Sequence, residues 1–140
     1  MKRSSELTSL SHEHHHSLRL AKNCLDTAAT GDEAKCITLC QHILDIFDQE
    51  WDRHFRNEEA SIFDITATMT GKINELGIQL VNEHQRMRTM VAEMQPGDCK
   101  KLAEFGELLR DHTRLEEREL FPLVEVQFSS QQLQRIKDLT

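Results

Sequence analysis

In LLRDHTRLEERELFPLVE, residues 108–125, Leu108, Leu109 and Leu120 mark one face of an amphipathic helix. His112 and Glu116 fall on the same face, four residues apart. Burying such groups costs on the order of several kcal/mol unless a partner satisfies them. The stretch therefore predicts a helix whose inner side aims an imidazole and a carboxylate at a common point.

Working outward, the same combination recurs along the chain. Leu7, Leu10, His14, Leu18, Ala21 and Leu25 trace a first helical face that should end at Thr30-Gly31, where glycine can close a helix and Asp32 can cap the next. A long second helix carries Cys36, Cys40, Ile43, Phe47, Trp51, His54, Glu58 and Ile62 inward and frays in DITATMTG, residues 64–71. A third, from about Lys72 to Met94, turns Ile73, Leu76, Leu80, His84, Met87 and Val91 inward. Pro96-Gly97 breaks it, and Asp98 starts the fourth, with Phe105, Leu108, His112, Glu116 and Leu120 inside until Pro122 interrupts. A short tail helix begins near Ser129 or Ser130. The fold expected is all-α, an up-and-down antiparallel four-helix bundle with a short C-terminal fifth helix, forming one domain over residues 1–140.

Bulk properties narrow the function. The 140 residues are 38% hydrophobic and 29% charged, with a net charge of −7. An acidic chain is a poor match for nucleic acid or an anionic membrane surface. No apolar run approaches the roughly 18 residues of a spanning helix. The N-terminal MKRSSELTSL lacks the sustained apolar core of a secretory signal, so the expected location is cytoplasmic. Cys24, Cys36, Cys40 and Cys99 lack CxxC spacing and read as small hydrophobes in a reduced compartment.

Each long helix thus offers a histidine on its apolar face: His14, His54, His84 and His112. Two of them carry a glutamate one turn on, Glu58 and Glu116. A lone inward histidine is usually a satisfied core residue. Four on four helices, two paired with carboxylates, point to metal. Imidazole and carboxylate suit iron, manganese or zinc. A carboxylate can bridge two ions about 3.5–4 Å apart. In the run HEHHH, residues 12–16, His14 fits the face of Leu10, Leu18 and Ala21, whereas His15 could serve if the helix is rotated. His12 and His16 read as solvated, with His12 able to approach the cavity mouth. Glu13, Glu59, Glu83 and Glu117 could each be a further ligand, an acceptor for an imidazole N–H or a surface charge; surface charge is the better reading for Glu59 and Glu117. Arg88, one turn past His84, could point into the pocket or extend to the bundle end.

LSHEHHHSLRLA, HFRNEEASIF, NEHQRM and DHTRLEERELFPLVE together resemble the hemerythrin-like, or HHE cation-binding, family over nearly the whole chain. That resemblance implies a non-haem di-iron site in a four-helix bundle, with His14, His54, Glu58, His84, His112 and Glu116 as ligands. Glu58 and Glu116 would bridge the two Fe ions beside an oxo or hydroxo bridge, and Mn or Zn could substitute. Two departures separate it from the oxygen-carrying members. Arg88 stands where they have a second histidine, and Glu117 where they have an aspartate. Four histidines with two glutamates is closer to the di-iron domain of proteins that repair iron centres after nitrosative stress. Those carry an extra N-terminal domain that this chain is expected to lack, leaving electron transfer or signalling to a separate protein.

The expected function is binding of a small diatomic or peroxo ligand (O2, NO or peroxide) for sensing, storage or detoxification. The alternatives are a redox enzyme that reduces peroxide or nitric oxide, an iron donor to damaged centres, or a metal-stabilised docking bundle. A monomer and a homodimer are equally compatible with the pattern.

Overall fold

The computed structural model describes residues 3–140. Its helices follow the apolar periodicity closely. After a 3-10 turn at Ser5–Leu7, helix α1 spans Thr8–Thr30 and stops where Gly31 adopts a left-handed φ of 66°. Asp32 then caps the next helix, its carboxylate accepting from the backbone N–H groups of Ala34 and Lys35 at 3.0 and 3.3 Å. Helix α2, residues 33–66, is continuous but changes pitch. α-Helical Glu33–Ile46, Arg53–Glu58 and Asp64–Thr66 alternate with π-helical Phe47–Asp52 and Glu59–Phe63. Helix α3 is Lys72–Glu93. Helix α4, residues 99–127, starts with Asp98 accepting from Lys101 N and contains a third π stretch, Glu116–Leu120. Helix α5, Ser130–Leu139, opens on a capping box between Ser129 and Gln132.

The four long helices pack up and down, with α5 lying against the end that holds the 3-10 turn and the second π stretch of α2. Helix α1 runs along most of α4, and Gly106 permits the close approach: a Cβ there would lie 2.7 Å from Cys24 Cβ and 3.0 Å from Ala21 O. The apolar core divides into two clusters. One gathers Leu20, Cys24, Ile43, Phe55, Met87 and Phe105 with their neighbours; the other gathers Leu10, Ile62, Leu80, Leu120, Phe121 and Val124 with theirs. Every long helix crosses from one cluster to the other at its inward histidine. The polar residues therefore form a layer closed above and below by hydrocarbon.

Three expectations need correction. On α1 the buried stripe runs through Leu20 and Cys24, while Leu18 and Leu25 are only half-buried. Pro122 does not interrupt α4, which continues to Gln127. Proline has no N–H to donate. The carbonyl five residues back in the preceding π turn, Glu117 O, instead accepts from Arg3 Nη2 at 2.9 Å. The cysteines are not all thiols either: Cys36 and Cys99 form a disulfide that ties the start of α2 to the start of α4, while Cys24 and Cys40 are free and buried. The bundle brings the two helix starts together, with Cα atoms 5.5 Å apart, which sequence spacing did not reveal. Burial pushes the Cys24 thiol up to about 12, so it is inert near neutral pH.

The disulfide spans a sequence separation of 63 residues. Loop-closure entropy puts its contribution at up to about 4 kcal/mol. Cys99→Ser is expected to melt roughly 10 °C below the oxidised parent in a calorimetric scan. Equal melting temperatures would show that the bond constrains little.

Candidate metal centre

The polar layer is assembled from α1, α2, α3 and α4 by helical spacing. His14, His54, His84 and His112 are each no more than 3% exposed, and Glu58 and Glu116 are fully buried. Glu58 sits one residue before a π stretch, and Glu116 is the first residue of another. In both cases the wider turn follows directly on the His-x3-Glu pair, as such bulges often do at functional sites.

Inside the layer the donors converge. Glu58 Oε1 lies 3.4 Å from His54 Nε2 and 3.2 Å from His84 Nε2, and its Oε2 lies 3.6 Å from His14 Nε2. Glu116 Oε1 lies 2.5 Å from His112 Nε2, and its Oε2 lies 3.8 Å from His14 Nε2. They fall into two groups, Glu58 with His84, His112 and Glu116, and Glu58 with His14 and His54. Within each group the donor atoms lie within 4.8 Å of one another, and Glu58 belongs to both.

Outside the layer every ring nitrogen Nδ1 meets a carboxylate. His14 pairs with Glu117 at 2.8 Å, His54 with Glu13 at 2.8 Å, His84 with Glu59 at 2.7 Å and His112 with Glu83 at 2.8 Å. An Nδ1–H donated outward fixes the tautomer and turns the bare Nε2 lone pair inward. The acceptors are themselves held. Arg53 binds Glu13, Arg88 binds Glu59 through both terminal nitrogens at 3.0 and 3.1 Å, Gln79 binds Glu83, and Ser11 binds Glu117. Each helix gives a histidine to one neighbour and a glutamate to the other, so the bonds close a circuit around the bundle.

Lone pairs facing carboxylates demand positive charge. The Nε2 atoms of His14, His84 and His112 and all four oxygens of Glu58 and Glu116 are buried and make no hydrogen bond. In the metal-free chain protons can supply that charge. Burial opposes ionisation of His54 and His112, but Glu58 and Glu13 around the first, and Glu116 and Glu83 around the second, push both up to about 10. His14, against the same opposition, is pushed up to about 9 by Glu117 and Glu58. Glu58 is held well below the usual carboxylate range, because His54, Glu116 and His14 outweigh its burial. Glu116 is raised, by burial first and then by Glu58 beside it.

The profile of the hemerythrin HHE cation-binding domain matches residues 6–124. The chain belongs to the hemerythrin family. Its two His/Glu donor groups suit the binuclear metal centre typical of hemerythrins. No curated protein and no solved structure shows significant similarity to the chain.

Within this hemerythrin fold, His14 is the inward residue of HEHHH, while His12, His15 and His16 are exposed. His42 is exposed as well. Glu59 and Glu117 are not surface charges: their side chains are only 27% exposed and hold His84 and His14. Glu13 and Glu83 have the same role on the other two rings. The signal that could have found all four is a repeat, His54-x3-Glu58-Glu59 against His112-x3-Glu116-Glu117, each preceded by a Glu-His pair at 13–14 or 83–84. Arg88 takes neither expected course. It bridges Asp52 and Glu59, with its guanidinium carbon 5.8 Å from the centre of the Phe55 ring.

Proposed function

We propose that His14, His54, Glu58, His84, His112 and Glu116 hold two iron ions, and that the pair binds O2, NO or peroxide for sensing, storage or detoxification. The observation that carries this reading is the set of buried, unpartnered nitrogens and carboxylate oxygens converging on one layer. Among the described residues only Ser4 Oγ and Trp51 Nε1 share this state outside the layer, and neither belongs to a cluster of donors. Here an ion is the partner that completes the set. The set is imidazole and carboxylate alone, which favours iron, manganese or zinc over soft-metal chemistry.

When bound, reduced iron supplies the electron density that attracts a diatomic ligand. The remaining work belongs to this chain's side chains. Glu58 contributes to both donor groups and holds them together. The outer glutamates accept each Nδ1–H and keep each Nε2 turned inward, where an ion replaces the proton. Phe55 stacks on His84 with ring centres 4.1 Å apart, Phe121 stacks on His14 at 5.4 Å, and Phe63 meets His84 edge-on at 5.6 Å. These rings exclude water from the layer. Among the described residues no helix is long and apolar enough to cross a membrane. A single domain exchanging electrons or signals with a separate protein fits this reading, and a place in the cytoplasm fits it where the Cys36–Cys99 disulfide resists reduction.

The test is metal analysis of protein purified anaerobically, with optical spectra before and after exposure to O2. Two irons per chain and new charge-transfer bands on oxidation are expected, matching the two donor groups. Bands bleached by deoxygenation identify reversible binding, and irreversible oxidation identifies redox turnover. Protein that takes up no Fe(II) under anaerobic conditions refutes the assignment.

A further inference from the structure

Three histidines of HEHHH have no part in the buried layer. His12, His15 and His16 are exposed, and none makes a hydrogen bond or ion pair to another described residue. His12 and His16 stand one turn apart on the same face of α1. Their ring centres are 5.5 Å apart and nearly perpendicular, while His15 stands 6.3 Å from His12. Two imidazoles at i and i+4 on a helix form a natural chelate for a divalent transition ion: exposed rings can rotate to bring one nitrogen each to the roughly 2.0–2.1 Å that such an ion requires.

The position of this pair is informative. His16 lies on the wall of a polar cleft of about 270 Å³ that also includes Glu13, Glu50, Trp51, Arg53 and His54. The cleft runs from the rim where His16 stands down to His54, whose outward Nδ1 is held by Glu13 in the same cleft wall. Trp51 Nε1 is buried here without a partner. Glu50, exposed on the cleft wall, offers an arriving cation a carboxylate, while both oxygens of Glu13 are already held by His54 and Arg53. Of the three exposed histidines, only His16 lines this cleft.

We infer that His12 and His16 form a third metal site, which captures a divalent first-row transition ion and delivers it through the cleft beside His54 to the buried pair. Capture stands on the surface geometry alone. Delivery rests on the function proposed above, so the two are measured separately.

Capture is read by titrating Ni(II), by calorimetry, into anaerobic protein already loaded with iron. One additional Ni(II) per chain is expected, with Cu(II) binding more tightly and Zn(II) less tightly than Cu(II), in the usual order for imidazole ligands. His12→Ala and His16→Ala, both in exposed positions that leave the core intact, should each weaken this binding by at least about tenfold. If the buried layer takes no iron, the same difference between parent and variants still tests the surface site. Ni(II) binding that is absent, or unchanged in both variants, overturns it.

Delivery is read as the rate of Fe(II) uptake by metal-free protein at limiting Fe(II). The double variant should load at least about tenfold more slowly while reaching the same final iron content as the parent. Equal loading rates overturn delivery. A lower final content places these histidines in the buried centre's own stability and overturns the port as described.

Discussion

Glu58→Gln is expected to empty both donor groups while leaving the bundle folded. Glu58 is the one residue common to both, and its two oxygens face His54 and His84 on one side and His14 on the other. Glutamine keeps the volume but replaces an anionic oxygen with an N–H2 that cannot ligate. The loss of affinity should exceed the roughly 10- to 100-fold typical of removing an outer hydrogen-bond partner. Glu116→Gln removes a donor only from the group that also contains His84 and His112. Its Oε2 approaches His14 of the other group no closer than 3.8 Å, so that group should be weakened less. Metal content per chain, measured beside far-UV circular dichroism, separates these outcomes. A Glu58→Gln protein that keeps both ions would show that Glu58 is not shared between them.

The second large effect is a reversal of pH dependence between the metal-free and metal-loaded forms. In the metal-free chain His14 titrates at about 9 and His54 and His112 at about 10, against roughly 6.5 in an unfolded chain. A raised histidine pKa contributes stability that is fully present below the unfolded value and is lost as pH rises through the folded one. Metal-free protein should therefore weaken steadily between pH 7 and pH 10. Each pKa unit corresponds to about 1.4 kcal/mol, so the melting temperature should fall by about 10 °C or more. In the loaded protein the ions take the place of the protons. Alkaline pH then costs little, and acid strips the ions as protons compete for the ring nitrogens. Parallel thermal scans of both forms from pH 5 to pH 10 test the sign. A metal-free chain that gains stability with rising pH contradicts the geometry described.

Helix number, order and most boundaries were legible in the sequence, because each long helix keeps a regular apolar face and each break carries its own chemistry: Gly31 with Asp32, the threonines before Gly71, Pro96 with Gly97. The inner histidines and glutamates were legible for the same reason, as polar residues at positions that should be apolar. What stayed hidden depends on distance across the bundle. Glu117 and His14 are 103 residues apart in sequence, and no local pattern says that they touch. The Cys36–Cys99 bond is hidden in the same way. Pro122 misled because a helix-breaking residue is judged against α geometry, and here it follows a π turn whose free carbonyl Arg3 satisfies.

The circuit of histidine–glutamate bonds bears on how the protein would release its cargo. Two of the four links, His54 with Glu13 and His112 with Glu83, lie within the helical hairpins α1–α2 and α3–α4; the other two, His14 with Glu117 and His84 with Glu59, lie between them. The α1–α2 hairpin carries all three donors of one group, His14, His54 and Glu58, whereas the other group joins Glu58 to His84, His112 and Glu116 of the α3–α4 hairpin. Fraying any one helix breaks links to both neighbours, but only fraying of α2 takes Glu58 from both donor groups at once. Opening of the α3–α4 hairpin should therefore release one ion while the α1–α2 hairpin still holds the other, so the bundle would give up its metal in two steps.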